Sequence, residues 1–296
     1  MAGIFGLFDY TKPGKGVDKD ERERKEYVEF FLILWRRLTR LLPLNMMYFT
    51  LTLPLFTYLS AFAVAQFPWL FEAENAGIGL FSTEFFGQIG FSIYTFSPVL
   101  AIGLVVVSAI MFGPVTAAMT YILRNFVRHE HAWIWFDFWR IIKENFVQSL
   151  IAGLVDIILM ASVIIYASID PSSMGGAGGF FFQLFRYIVY ILFAIYEIMR
   201  FYIFNIMVTS KLKLGAIYKN AFILVVLGLP RNVVAVLACV PTILLLSILD
   251  IYTFTLIGYS LLGLIVIFTT YPVMRKYLID PFTEAEEEDA VFVDQG

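Results

Sequence analysis

Four ionisable side chains interrupt the long apolar runs of this sequence: Asp156, Arg186, Glu197 and Arg200. Each costs about 2.5–3.5 kcal/mol to place at membrane depth, so such groups either pair with one another or do chemistry there. Glu197 and Arg200 stand at i, i+3 and share a helix face. Arg186 falls on the same face, because the eleven residues from Arg186 to Glu197 turn a helix about three times. Asp156 belongs to another run, ~15 Å from its inner end, and Arg200 lies ~13.5 Å from the inner end of the next, antiparallel run. The equal depths predict an Asp156–Arg200–Glu197 cluster, with Arg186 near enough to the outer surface to snorkel. Two kinds of chemistry fit the cluster. It is either a nearly self-neutralising clamp holding two helices in register or a polar site for a solute or coupling ion.

Other chemistry is missing. His129 and His131 are the two histidines, in a basic and aromatic turn without Cys or paired carboxylates at metal spacing, so no metal is assigned. The sequence carries no GxxxxGK[ST] phosphate loop, no Gly-rich nucleotide motif and no Ser/His/Asp set. The expectation is a non-catalytic protein with no cofactor and no nucleic-acid partner. Cys239, the single cysteine, sits in an apolar run and reads as a small buried hydrophobe.

The elements that must hold these groups follow from composition. Of 296 residues, 60% are hydrophobic and only 15% charged, against about 45–50% and about 25% for a soluble domain. Lipid is therefore the solvent for much of the chain. Mostly apolar stretches long enough to cross the ~30 Å hydrocarbon layer predict an all-α polytopic bundle of six spans, at 42–66, 98–123, 146–168, 180–209, 232–249 and 252–271. Every Lys and Arg except Arg186 and Arg200 falls before the first span, between the second and third, between the fourth and fifth, or after the sixth. The opposite loops, at 67–97, 169–179 and Asp250, carry none. Because basic loops stay in the cytoplasm during insertion, both termini are expected there.

Residues 1–25 read as a cytoplasmic arm, 26–280 as one helical domain and 281–296 as a disordered acidic tail. Two segments have the pattern of interfacial amphipathic helices. In 26–42, Glu26, Glu29, Arg36, Arg37 and Arg40 fill one arc of about 100°. In 133–146, Asp137, Arg140, Lys143 and Glu144 share one face, and Trp135, Phe138, Trp139 and Ile142 another. A third, at 212–229, is less regular, with a break expected at Pro230-Arg231. The outer loop 67–97 reads as a cap or lid, and 172–179 as a flexible Gly-rich connector. Trp133, Trp135, Trp139, Arg140, Lys143, Pro230 and Arg231 form a candidate docking surface, with packing of these helices against the bundle as the plainer reading.

Four stretches carry a resemblance: LNMMYFTLTLPLFT (44–57), MFGPVTAAMTYILRNFVR (111–128), FDFWRIIKENFVQS (136–149) and LKLGAIYKNAFILVVLGLPRNVV (212–234). In these the chain resembles the YesL-type bacterial membrane proteins, an uncharacterised family. Members are typically encoded beside ABC importers and degradative enzymes for plant cell-wall saccharides, so the resemblance implies an accessory or assembly subunit that contacts importer permease subunits. A small transporter or channel using Asp156, Glu197 and Arg200 is the alternative. The tract 221–230 shares only Leu229-Pro230 with the coupling helix of ABC permeases and lacks its Glu-Ala-Ala start and central Gly.

Overall fold

A computed structural model describes residues 25–66, 97–171, 175–249 and 254–281, the side chains of 60–66, 247–249 and 254 excepted. The N-terminal arm, most of the outer loop, Asp250 and nearly all of the acidic tail lie outside the described residues. The described residues form seven α-helices: α1 (Glu26–Gln66), α2 (Pro98–Val127), α3 (Ile134–Ser168), α4 (Gly176–Thr209), α5 (Leu214–Leu227), α6 (Leu229–Leu249) and α7 (Tyr259–Met274). Single π-helical turns, Phe254–Gly258 and Arg275–Ile279, flank α7. Among the described residues there is no strand.

Among the described residues, five stretches are long and apolar enough to cross a membrane: Pro98–Val127, Ile134–Ser168, Gly176–Thr209, Leu229–Leu246 and Thr255–Ile279. The protein is thus an integral membrane protein with an all-helical fold. Helix α1 covers the first expected span.

Several boundaries differ from expectation. Residues 133–146 do not form a separate surface helix, because α3 runs unbroken from Ile134 to Ser168. An amphipathic pattern marks a face, and without Pro or Gly nothing there ends the helix. Likewise α1 continues through Pro43 instead of dividing near residue 42. The expected connector ends early, since α4 begins at Gly176. The break expected at Pro230-Arg231 falls at Gly228, which caps α5 by donating its N–H to the Leu224 carbonyl (2.8 Å). Pro230 then sits in the first turn of α6, where a missing N–H costs nothing.

The chain falls into two compact units, Met1–Arg36 and Arg37–Gly296. In the first unit, Phe30 and Phe31 pack edge to face (5.6 Å between centroids) and the Lys25 ammonium stands over the Tyr27 ring. The second unit holds the bundle. Its core gathers toward one end, where Tyr202, Ile203, Ile206 and Met207 of α4 meet Ile217, Ala221 and Leu224 of α5 and Val273 and Met274 of α7. Toward the other end, Val99, Ile102, Val106, Ile158, Ile165, Phe181, Leu184 and Ile188 point outward. In a membrane these side chains meet acyl chains, so their exposure is no defect of packing.

Helices join where a small or polar residue lets backbones meet. Gly113 of α2 lies against Gly153 of α3 so closely that a Cβ on Gly153 would stand 2.5 Å from the Gly113 nitrogen, and one on Gly113 would stand 1.8 Å from the Ser149 carbonyl oxygen. Pro54 deprives α1 of a backbone donor, and next to it the Ser108 hydroxyl of α2 enters the α1 ladder. It donates to the Leu51 carbonyl (2.8 Å) and accepts from the Leu55 N–H (3.3 Å). Asn45 of α1 bridges the π-turn before α7, donating to the Thr255 carbonyl and accepting from the Ser260 N–H (2.9 Å). At the α4–α5–α6 corner the Tyr202 hydroxyl donates to Asn232 (2.6 Å), whose amide donates to the Val225 carbonyl (3.0 Å).

Candidate functional site

The Gly113–Gly153 contact sets α3 beside α2, and three residues further along α3 Asp156 turns into the bundle. Its side chain is 1% exposed. Both carboxylate oxygens are engaged: Oδ1 accepts from the Tyr196 hydroxyl, and Oδ2 accepts from the Arg200 Nε–H at 2.7 Å. Both donors lie on α4 at i, i+4, one turn apart. The Glu197 carboxylate stands 3.7 Å from Arg200 Nη1, an ion pair longer than a hydrogen bond. The Arg200 guanidinium also lies over the Phe112 ring (5.3 Å) and the Phe204 ring (6.0 Å). A guanidinium keeps its charge in such a place because a carboxylate and two ring faces replace its water.

Asp156, Glu197 and Arg200 therefore meet between α3 and α4. Arg186 does not join them. It donates to the Ile169 carbonyl at the end of α3 and lies over the Phe182 ring, which ties off an orphan helix-end carbonyl.

On its other side Arg200 reaches a cavity of about 340 Å³ among α1, α2, α4, α6 and α7. Tyr48, Thr116, Met119, Thr120, Cys239 and Tyr259 are the other polar or sulfur-bearing side chains of a mainly apolar wall. The Thr116 hydroxyl donates to the Phe112 carbonyl (2.7 Å) and lies 3.4 Å from the Tyr48 hydroxyl. The Tyr259 ring stacks on Phe56 (5.4 Å) and tilts against Tyr48 (5.2 Å).

The residues of the candidate docking surface occupy two places. Trp133, Trp135 and Phe136 at the start of α3 are about two-thirds exposed, and Trp139 packs edge to face on Trp135 (6.0 Å). Asp137 does not share the outer face with Lys143, as the helical wheel suggested. It is buried, accepting from the Trp133 N–H (2.7 Å) and from Arg140 (2.8 Å). Arg140 is committed as well, to Asp137, Glu144 (3.2 Å) and the Tyr121 hydroxyl (3.0 Å). Lys143 and Pro230 are exposed and Arg231 is half-buried.

Sequence reasoning missed two groups. Tyr196 could have been found, since it stands four residues before Arg200 on the face that meets Asp156. Arg124 counted only as a loop cation, yet it is buried in α2 and donates to the Val208 carbonyl (2.9 Å) and to Thr209 (2.8 Å). It places a cation on the carbonyl end of α4, where the helix dipole favours one. On α5, outside the long apolar helices, burial pushes the Tyr218 phenol above its ordinary range, so it is a neutral hydroxyl.

Residues 41–169 match the family described as Protein of unknown function, DUF624. No curated protein and no solved structure matches the chain. The matched stretch contains Asn45, Ser108, Gly113, Gly153 and Asp156 and stops before Glu197 and Arg200. It thus covers the α1–α2–α3 framework from residue 41 onward and one of the three charged residues of the cluster.

Proposed function

We propose that this protein is a non-catalytic subunit of the bacterial plasma membrane, with both termini cytoplasmic, that accompanies or helps assemble a carbohydrate ABC importer. The observation that carries the choice over a permeation pathway is the state of Asp156. It is buried, with both oxygens already held by Tyr196 and Arg200, so it is engaged as a clamp and is not offered to a passing ion. The YesL-type resemblance supplies the importer, and the exposed Trp133, Trp135 and Phe136 supply an apolar face of the kind that partners cover.

The test is purification in mild detergent from cells that express the neighbouring permease genes. Recovery of the permease with this protein, lost on Trp133→Ala/Trp135→Ala, is the expected result. Recovery of this protein alone, together with unchanged oligosaccharide uptake in a deletion strain, overturns the proposal.

A second reading rests on the half-exposed Glu197 and Arg200: a small transporter or channel past the cluster. Purified protein in vesicles would then pass solute unaided, and Arg200→Gln would change the flux.

A further inference from the structure

We propose that the cavity beside Arg200 binds an uncharged alkyl chain ending in a carbonyl, such as the ester end of an acyl chain. This goes beyond either reading of function and depends on neither. Its volume of about 340 Å³ falls within the ~300–1,000 Å³ of small-molecule sites, which are mostly apolar with few polar groups that fix orientation. The wall has that make-up. Arg200 is the one charged group among the lining residues.

The charge of the occupant follows from the groups around Arg200. A guanidinium has five N–H donors, and one of these goes to Asp156. The side chain remains 24% exposed, with N–H groups left to offer. Asp156 at 2.7 Å and Glu197 at 3.7 Å already outnumber the cation, so an anion would meet two carboxylates behind a single positive charge. A neutral acceptor meets only the donors. Methylene groups suit the rest of the wall, where Leu123, Phe204, Ile243 and Val266 face the space.

Tyr259 gives an independent reason to regard this wall as built for occupancy. It follows the π-turn Phe254–Gly258, an element that recurs at functional sites because it re-aims the side chains after it. Asn45 holds the two ends of that turn, which directs the Tyr259 ring to the cavity between Tyr48 and Phe56.

The experiment uses the full chain in vesicles of ether-linked lipid, which has no ester carbonyl, and an octanoate ester carrying a diazirine at the chain end as photoprobe. Crosslinks mapped by mass spectrometry are expected on the peptides of Thr120, Cys239 and Val266. Methyl octanoate should compete, octane and ionised octanoate should compete about tenfold less well, since one hydrogen bond to a charged donor supplies about that factor. Val266→Phe, which fills the space and leaves the Asp156 pair alone, should abolish the crosslinks with the thermal unfolding midpoint retained. Arg200→Lys, which keeps a cation beside Asp156 with fewer donors, should erase the preference for ester over alkane. In ester-linked lipid, loss of labelling identifies bilayer lipid as the natural source of the carbonyl, and retained labelling identifies a free molecule. Uncompeted crosslinks spread over the lipid-facing helices, or equal competition by octane and ester, overturn the proposal.

Discussion

Asp156 has no water to return to if its partners are removed. With Tyr196 on one oxygen and Arg200 on the other, deleting the cation leaves a buried charge, which costs about 3–5 kcal/mol. Asp156→Asn and Arg200→Gln should each lower stability by that order in detergent unfolding. The double substitution should recover most of the loss, because the fully buried carboxylate is gone and the Glu197 that remains is about a third exposed to solvent. If the double variant is as unstable as the sum of the singles, the pair is not a clamp. The pairing was legible in the sequence because depth along a helix is residue number times a fixed rise, so two antiparallel runs can be aligned on paper. The failure of Arg186 to join has the same physics: a long side chain near a helix end finds a carbonyl within reach before it finds a distant carboxylate.

Elements were less legible than residues. The expectation that α3 begins at residue 146 took the charged face of 133–146 to mark a separate helix, whereas helix ends require a residue that stops the hydrogen-bond ladder. Gly228 is such a residue, and a Cβ there would stand 2.5 Å from the Tyr202 hydroxyl. The α2–α3 contact was invisible to pattern, because two glycines in separate runs announce no partner. At this scale the sharpest test is Gly153→Val. The added atoms would overlap Gly113 backbone, so α3 must move away and the Asp156–Arg200 register with it. The variant should lose its cooperative unfolding transition, and an exposed control, Val147→Ala, should retain it. A Gly153→Val protein with an unchanged midpoint would mean that α2 and α3 do not meet at this point.

For the molecule as a whole, sidedness rests on the basic residues, and it can be checked without reference to any partner. Reporter enzymes active only outside the cytoplasm should be silent when fused after residue 281 and active when inserted near residue 172. The reverse pattern would invert the topology and remove the cytoplasmic face on which importer docking depends. The cavity and the Arg124 contact were the least legible features, since each is assembled from helices far apart in sequence and neither leaves a motif. One joint between helices bears on how the protein is made. Beside Pro54 the ladder of α1 is interrupted, and Ser108 of α2 supplies a donor and an acceptor inside it. A segment so dependent on its successor is not at rest in lipid when it first emerges. Its final insertion therefore waits on the synthesis of α2, and the first two helices enter the bilayer as a pair.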